Sequence, residues 1–154
     1  MEVLAVNSKR NVMLCAAMVL FFFAYVPLAP AADPANPGLV NYAEILKANP
    51  MKAGEQSQAI KVAEDDTTTM NVARFARGLD VKAHLHKTHT ETLYVIEGKI
   101  EMTMGGKTRE YIPGDVIFIP MNTVHSAKIG NSGDLVALQI LTPAMKEPDR
   151  VLVP

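Results

Sequence analysis

The sequence predicts an all-β sandwich or barrel preceded by one short helix. Three observations carry that reading. After residue 50 the chain breaks into short apolar runs of about six residues, split by Gly and Pro at even intervals. In KIEMTMGG, Ile100, Met102 and Met104 alternate with Lys99, Glu101 and Thr103, a period of two. Gly105–Gly106 then supplies the positive φ of a tight hairpin, and Pro113–Gly114 turns the chain into the apolar run VIFI.

The elements follow in order. Lys9 and Arg10 precede an uncharged run, residues 12–28, and then the small-residue stretch APAADP. A basic start, an apolar run and small residues at −3 and −1 describe a secretory signal peptide. Ala29 and Ala31 fit those positions, which puts cleavage after Ala31, with Ala32 as the alternative. A retained membrane anchor is the competing reading, but the run is short for a bilayer and Pro27 breaks it. Leu14 before Cys15, with most of the run still to come, excludes a lipoprotein signal. The expected organisation is a signal peptide over 1–31, a Pro/Ala/Asn linker over 32–41 and one domain over 42–154, periplasmic or secreted. That mature chain lacks cysteine, and its thirteen basic residues against fifteen acidic ones carry no nucleic-acid footprint. No membrane partner is expected after cleavage.

Asn41 with Glu44 forms a capping box and Pro50 closes the segment, which predicts a helix over 42–48. Tyr42, Ile45 and Leu46 should lie on the outside of the main body. Strands are predicted over 58–64, 70–78, 81–86, 92–98, 100–106, 108–113, 115–120, 124–129 and 135–141.

Three of the four histidines fall in HLHKTHTE, residues 84–91. In a strand, positions i and i+2 share a face, so His84 and His86 project together with Leu85 opposite. Glu91, just past a turn, adds an anionic oxygen, and His125 adds a third imidazole from a distant strand. Three His and one carboxylate suit one divalent first-row ion (Fe, Mn, Ni, Cu or Zn) and leave coordination positions open. His89 lies in the turn, so strand alternation does not set its direction; it is placed behind the ligands or at the mouth of the site. If Glu91 points inward, Leu93 and Val95 do too; if His125 does, so do Thr123 and Ala127. With Ile100, Met102 and Met104 they make a mostly apolar wall, suited to a small ligand. Tyr94 falls on the opposite face. No Gly-rich phosphate loop, cluster of basic residues for a phosphorylated sugar, or Ser/His/Asp order is present.

The spacing is more specific than the histidines alone. Gly78, five residues, His84-x-His86, four residues, Glu91, six residues and Gly98 form one motif; Gly114, five residues, Pro120 and then His125 form a second. Both resemble the motifs of the cupin superfamily in its small single-domain form, closely over 78–129 and loosely in the flanking strands. Two positions depart. Asn122 stands where the second motif has Gly, and Ile129 where it closes on Asn. Asn tolerates the left-handed turn that Gly would make. The resemblance implies an antiparallel double-stranded β-helix, the jelly-roll barrel of the family, with His84, His86, Glu91 and His125 as metal ligands. It also implies a small-molecule substrate, a homodimer, and dioxygenase-type oxidoreductase chemistry in which Glu91 doubles as a catalytic base. A metal-dependent isomerase or lyase, or a non-catalytic periplasmic module that binds metal or small ligand, are the alternatives.

Overall fold

A computed structural model describes residues 41–153. The expected signal peptide and all but the last residue of the expected linker lie outside the described residues. Helix α1, Tyr42–Ala48, is followed by ten strands. These are β1 Ser57–Glu64, β2 Thr69–Phe75, β3 Asp80–His86, β4 Thr90–Glu97, β5 Ile100–Met104, β6 Lys107–Tyr111, β7 Val116–Ile119, β8 His125–Ile129, β9 Leu135–Thr142 and β10 Arg150–Leu152. They form two five-stranded sheets, ordered β1-β2-β9-β4-β7 and β10-β3-β8-β5-β6, and every pairing is antiparallel.

Helix α1 begins where its cap dictates: Asn41 Oδ1 accepts from the backbone N–H groups of Ala43 and Glu44 at 3.0 and 3.3 Å. Seven residues cannot hold a helix alone. Tyr42, Ile45 and Leu46 secure it by packing on Val62, Val72 and Val136, on the outer face of the first sheet. The main core lies between the sheets and includes Leu93, Val95, Ile100, Met102, Ile117, Ile119, Ile129 and Leu135. Full burial of a side chain of this size contributes about 1.5–3 kcal/mol.

β4 and β7 alternate as a half-covered sheet should. Leu93 pairs with Ile117 and Glu91 with Ile119, all buried; Tyr94 pairs with Val116 and Thr92 with Phe118 on the outside. No helix covers that end of the sheet among the described residues, so Val116 and Phe118 stay 61% and 58% exposed.

The backbone specials sit at the motif turns. Gly98 has φ 79°, and a Cβ there would overlap the Asp134 carbonyl, so the position admits only Gly. Asn122 adopts φ 61°, the left-handed turn expected of it.

Most strand bounds shift by one to three residues from expectation, and one strand is new. β2 ends at Phe75 because Ala76–Gly78 form a turn, with Gly78 at φ 74°. β4 starts at Thr90, so Glu91 lies inside the strand and its direction is set by the pleat. β10 was not expected: its three residues follow Pro148 and pair with β3, a contact no local pattern announces.

Candidate metal centre

The two histidines of β3 and the one of β8 meet because the strands pair. His84 is directly opposite His125 in the register, with ring centroids 4.2 Å apart. His86 lies two residues on, with its ring 5.2 Å from His84 and 5.5 Å from His125. One ring nitrogen from each of the three lies within 4.8 Å of the others. Glu91 enters from the other sheet, its Oε2 3.4 Å from His86 Nε2 and 3.7 Å from His125 Nε2. His84, Glu91 and His125 are buried at 6%, 6% and 3% exposure.

The hydrogen bonds fix which nitrogen is available. His84 Nδ1 lies 2.8 Å from the Lys82 carbonyl and His125 Nδ1 2.9 Å from the Thr123 carbonyl. A carbonyl only accepts, so both rings carry their proton on Nδ1 and turn the Nε2 lone pair inward. His86 Nδ1 donates in the same way to the Asp149 carboxylate at 3.0 Å. Three imidazole nitrogens and a carboxylate oxygen thus converge in one buried space. Such a cluster is satisfied by a bound cation or by a proton between His86 and Glu91, and its ligand types fit a divalent first-row ion.

The titration behaviour agrees. Burial, then the charges of His125 and Arg150, push His84 down to about 4, so it is neutral at pH 7. Burial likewise holds His125 below its ordinary value, against the opposing pull of the Thr123 carbonyl. Burial also acts to lower His86, but hydrogen bonds to Glu91 and Asp149 outweigh it and raise the ring above its ordinary value. The shift favours a proton on His86 more than on a free imidazole. Burial acts to raise Glu91, yet hydrogen bonds from His86 and Gln139 and the nearby histidine charge bring it to about 2.

Other expected residues fall in several places. Leu93, Ile100, Met102 and Ala127 line a cavity of about 40 Å³ beside His84, Glu91 and His125, together with Phe75, Val81 and Ile129. Val95 is buried deeper in the core at 1% exposure, and Met104 packs at its margin. Thr123 contributes its backbone carbonyl to His125, not its side chain to the cavity lining. His89 is 1% exposed and stacks on His86 with ring centroids 4.5 Å apart, behind the convergent set. Tyr94 faces outward, 44% exposed, away from the site. A wider hollow of about 590 Å³ lies elsewhere, between α1 and the Gly98 turn, and is lined by the Arg74–Asp134 ion pair.

Sequence reasoning missed two supports. Gln139 on β9 donates to Glu91 Oε1 at 2.5 Å and accepts from Asn71 Nδ2 at 2.9 Å, a relay across three adjacent strands. A lone amide inside the apolar run LVALQIL was the available signal. Asp149 had none: it sits in a charged C-terminal stretch that reads as surface.

Comparison with known proteins agrees with the geometry. The Cupin domain family matches residues 71–141. Over 98 residues the chain is 32% identical to a quercetin 2,3-dioxygenase of Bacillus subtilis (strain 168), a match that covers 62% of this chain but only 29% of that longer protein. It is 31% identical over 102 residues to an uncharacterized protein of Aquifex aeolicus (strain VF5), covering 64% of this chain and 79% of the relative. Among solved structures, KdgF from Halomonas sp. aligns with TM-score 0.57 and 25% identity over 62% of this chain and 86% of its own. An uncharacterized double-stranded β-helix protein from Klebsiella pneumoniae aligns with TM-score 0.64 and 16% identity over 79% of this chain and 95% of its own, a likeness of fold alone. With both motifs in place and two facing antiparallel sheets around the histidines, the chain belongs to the cupin superfamily.

Proposed function

We propose that the chain is an exported, metal-dependent cupin that oxygenates a small organic molecule, with His84, His86, Glu91 and His125 holding one divalent ion. The observation that carries this reading is the convergence of three histidine ring nitrogens and the Glu91 carboxylate in one buried cluster. A bound ion of this kind supplies Lewis-acid and redox chemistry at its open positions. Similarity to the Bacillus quercetin 2,3-dioxygenase supports oxygenation as the reaction class.

The chain's own residues have separable tasks in this reading. The backbone carbonyls of Lys82 and Thr123 orient two rings. Gln139 holds one oxygen of Glu91 and leaves the other facing the histidines. A carboxyl group with a pKa of about 2 is a poor proton acceptor at neutral pH, which favours Glu91 as an anionic ligand over a general base. The apolar wall excludes water from the reacting groups. A cavity of about 40 Å³ has room for two or three water molecules. Pockets for drug-sized ligands start near ~300 Å³. The size supports a substrate of a few heavy atoms over a polycyclic flavonol.

Export rests on the basic-apolar-small order of residues 9–31. Homodimerisation is supported by the exposed apolar row Tyr94, Val116 and Phe118 beside β7, an edge strand among the described residues.

The test is an oxygen-electrode screen of the chain loaded separately with Fe(II), Mn(II), Ni(II) or Cu(II), offered short diketones, catechols and flavonols. Metal-dependent uptake with the smaller compounds is expected. Tight binding without oxygen consumption or product would make the protein a binding module.

A further inference from the structure

His84 and His125 are oriented locally, each by a carbonyl two residues away in its own chain segment. His86 is not. Its Nδ1 is held by Asp149, 63 positions away, in the segment that joins β9 to β10. That carboxylate is itself well anchored. Its Oδ2 accepts from both the backbone N–H and the hydroxyl of Thr88, each at 2.5 Å, and its side chain is 10% exposed. The same Oδ1 lies 3.5 Å from Nδ1 of the stacked His89. Immediately after Asp149, β10 pairs with β3, placing Arg150 opposite His86 and Leu152 opposite His84. Val153 donates one further hydrogen bond to the Ala83 carbonyl. The C-terminal segment thus clamps the strand that carries two of the three convergent imidazoles.

We infer that Asp149 is a positioning residue for the metal centre and that docking of residues 149–153 on β3 is coupled to metal binding. The inference rests on the ligand set proposed above. Asp149 holds His86 with its proton on Nδ1 and its Nε2 toward Glu91, and a partner of this kind strengthens a ligating imidazole and fixes its ring. Without it, His86 is free to turn or to carry its proton on Nε2, where it cannot ligate. Coupling of this sort is reciprocal: if the docked segment favours the ion, the ion favours the docked segment by the same factor.

The experiment measures Zn(II) and Co(II) affinity by chelator competition in wild type, Asp149→Ala and Asp149→Asn, with hydrogen exchange of the wild-type C-terminal amides with and without Zn(II). Asp149→Ala should bind about 10- to 100-fold more weakly and alter the Co(II) absorption spectrum. Asp149→Asn, whose amide oxygen still accepts from Nδ1, should recover most of the affinity. Zn(II) should slow exchange at residues 150–153 in wild type. Equal affinities in all three chains, or exchange unchanged by Zn(II), would overturn the inference while leaving the ligand set standing. No binding by wild type would remove the ligand set, and the inference with it. A second equivalent in wild type that Asp149→Ala loses would make His86, His89 and Asp149 a second metal site, which also overturns the positioning role. If Asp149→Ala does not fold, the wild-type exchange measurement decides.

Discussion

Gln139 and Glu91 are joined by a hydrogen bond that crosses from β9 to β4, and the same amide is tied to Asn71 on β2. One oxygen of the carboxylate is therefore committed to the sheet and the other is turned to the histidines. Gln139→Leu keeps the side-chain bulk and removes both bonds. It strands the buried Asn71 amide and frees Glu91 to rotate. The expected cost is about 1–3 kcal/mol in chemical denaturation, with weaker metal binding. Unchanged stability and unchanged affinity would show that the relay does not hold Glu91.

His125→Ala removes the imidazole that sits opposite His84, and Glu91→Gln removes the only negative charge in the convergent set. Wild type is expected to carry close to one equivalent of a divalent first-row metal after loading and desalting, and each variant well below that. Elemental analysis of the three proteins, each checked for folding by circular dichroism, provides the measurement. Equal, negligible metal in all three would sink the site.

The metal-free chain should lose stability faster on acidification than on alkalinisation. Burial, followed by neighbouring charge, depresses His84 to about 4, so between pH 6.5 and 4 the unfolded chain binds more protons than the folded one and stability falls as pH falls. His84 alone is worth on the order of 3 kcal/mol across that window. His125 and His89, both depressed mainly by burial, act in the same sense. Glu91, at about 2, adds a loss as pH drops below 4.5 and through its folded value. His86 has the opposite sign: its raised pKa contributes stability below 6.5 that is lost as pH rises through the folded value. Melting temperature in the presence of chelator should therefore peak near pH 6.5, with the steeper limb on the acid side. A flat profile between pH 4 and 6.5 would contradict the buried neutral histidines.

Phe118→Lys places a charge on the outer row beside Tyr94 and Val116 without touching the core, since Phe118 is 58% exposed. If that row joins two copies, light scattering should show a wild-type dimer and a largely monomeric variant with unchanged melting behaviour at low concentration. A wild-type monomer would remove the dimer reading, and a dimer in both would move the interface to another face.

Much of the barrel was legible because its evidence is local. A two-residue alternation reports which face of a strand is buried, a Gly–Gly pair reports a hairpin, and Asn41 with Glu44 reports a helix start; each depends on neighbours within a few positions. The His84–His86 pair was legible for the same reason. Boundaries slipped where tertiary pairing decides them, as at the end of β2 and the start of β4. The role of Val95 slipped too, because alternation tells inside from outside but not how deep a side chain sits.

The chain by itself determined the fold class and the motif spacing, since strand period and turn chemistry are written in consecutive residues, and the resemblance carried by that spacing named the four residues that converge. Only the tertiary structure decided that His84 faces His125 across a register, that Gln139 commits one oxygen of Glu91, and that Asp149 orients His86. Those relationships join residues on different strands and loops. Cross-strand register is set by the packing of the whole barrel, and no short stretch of sequence encodes it.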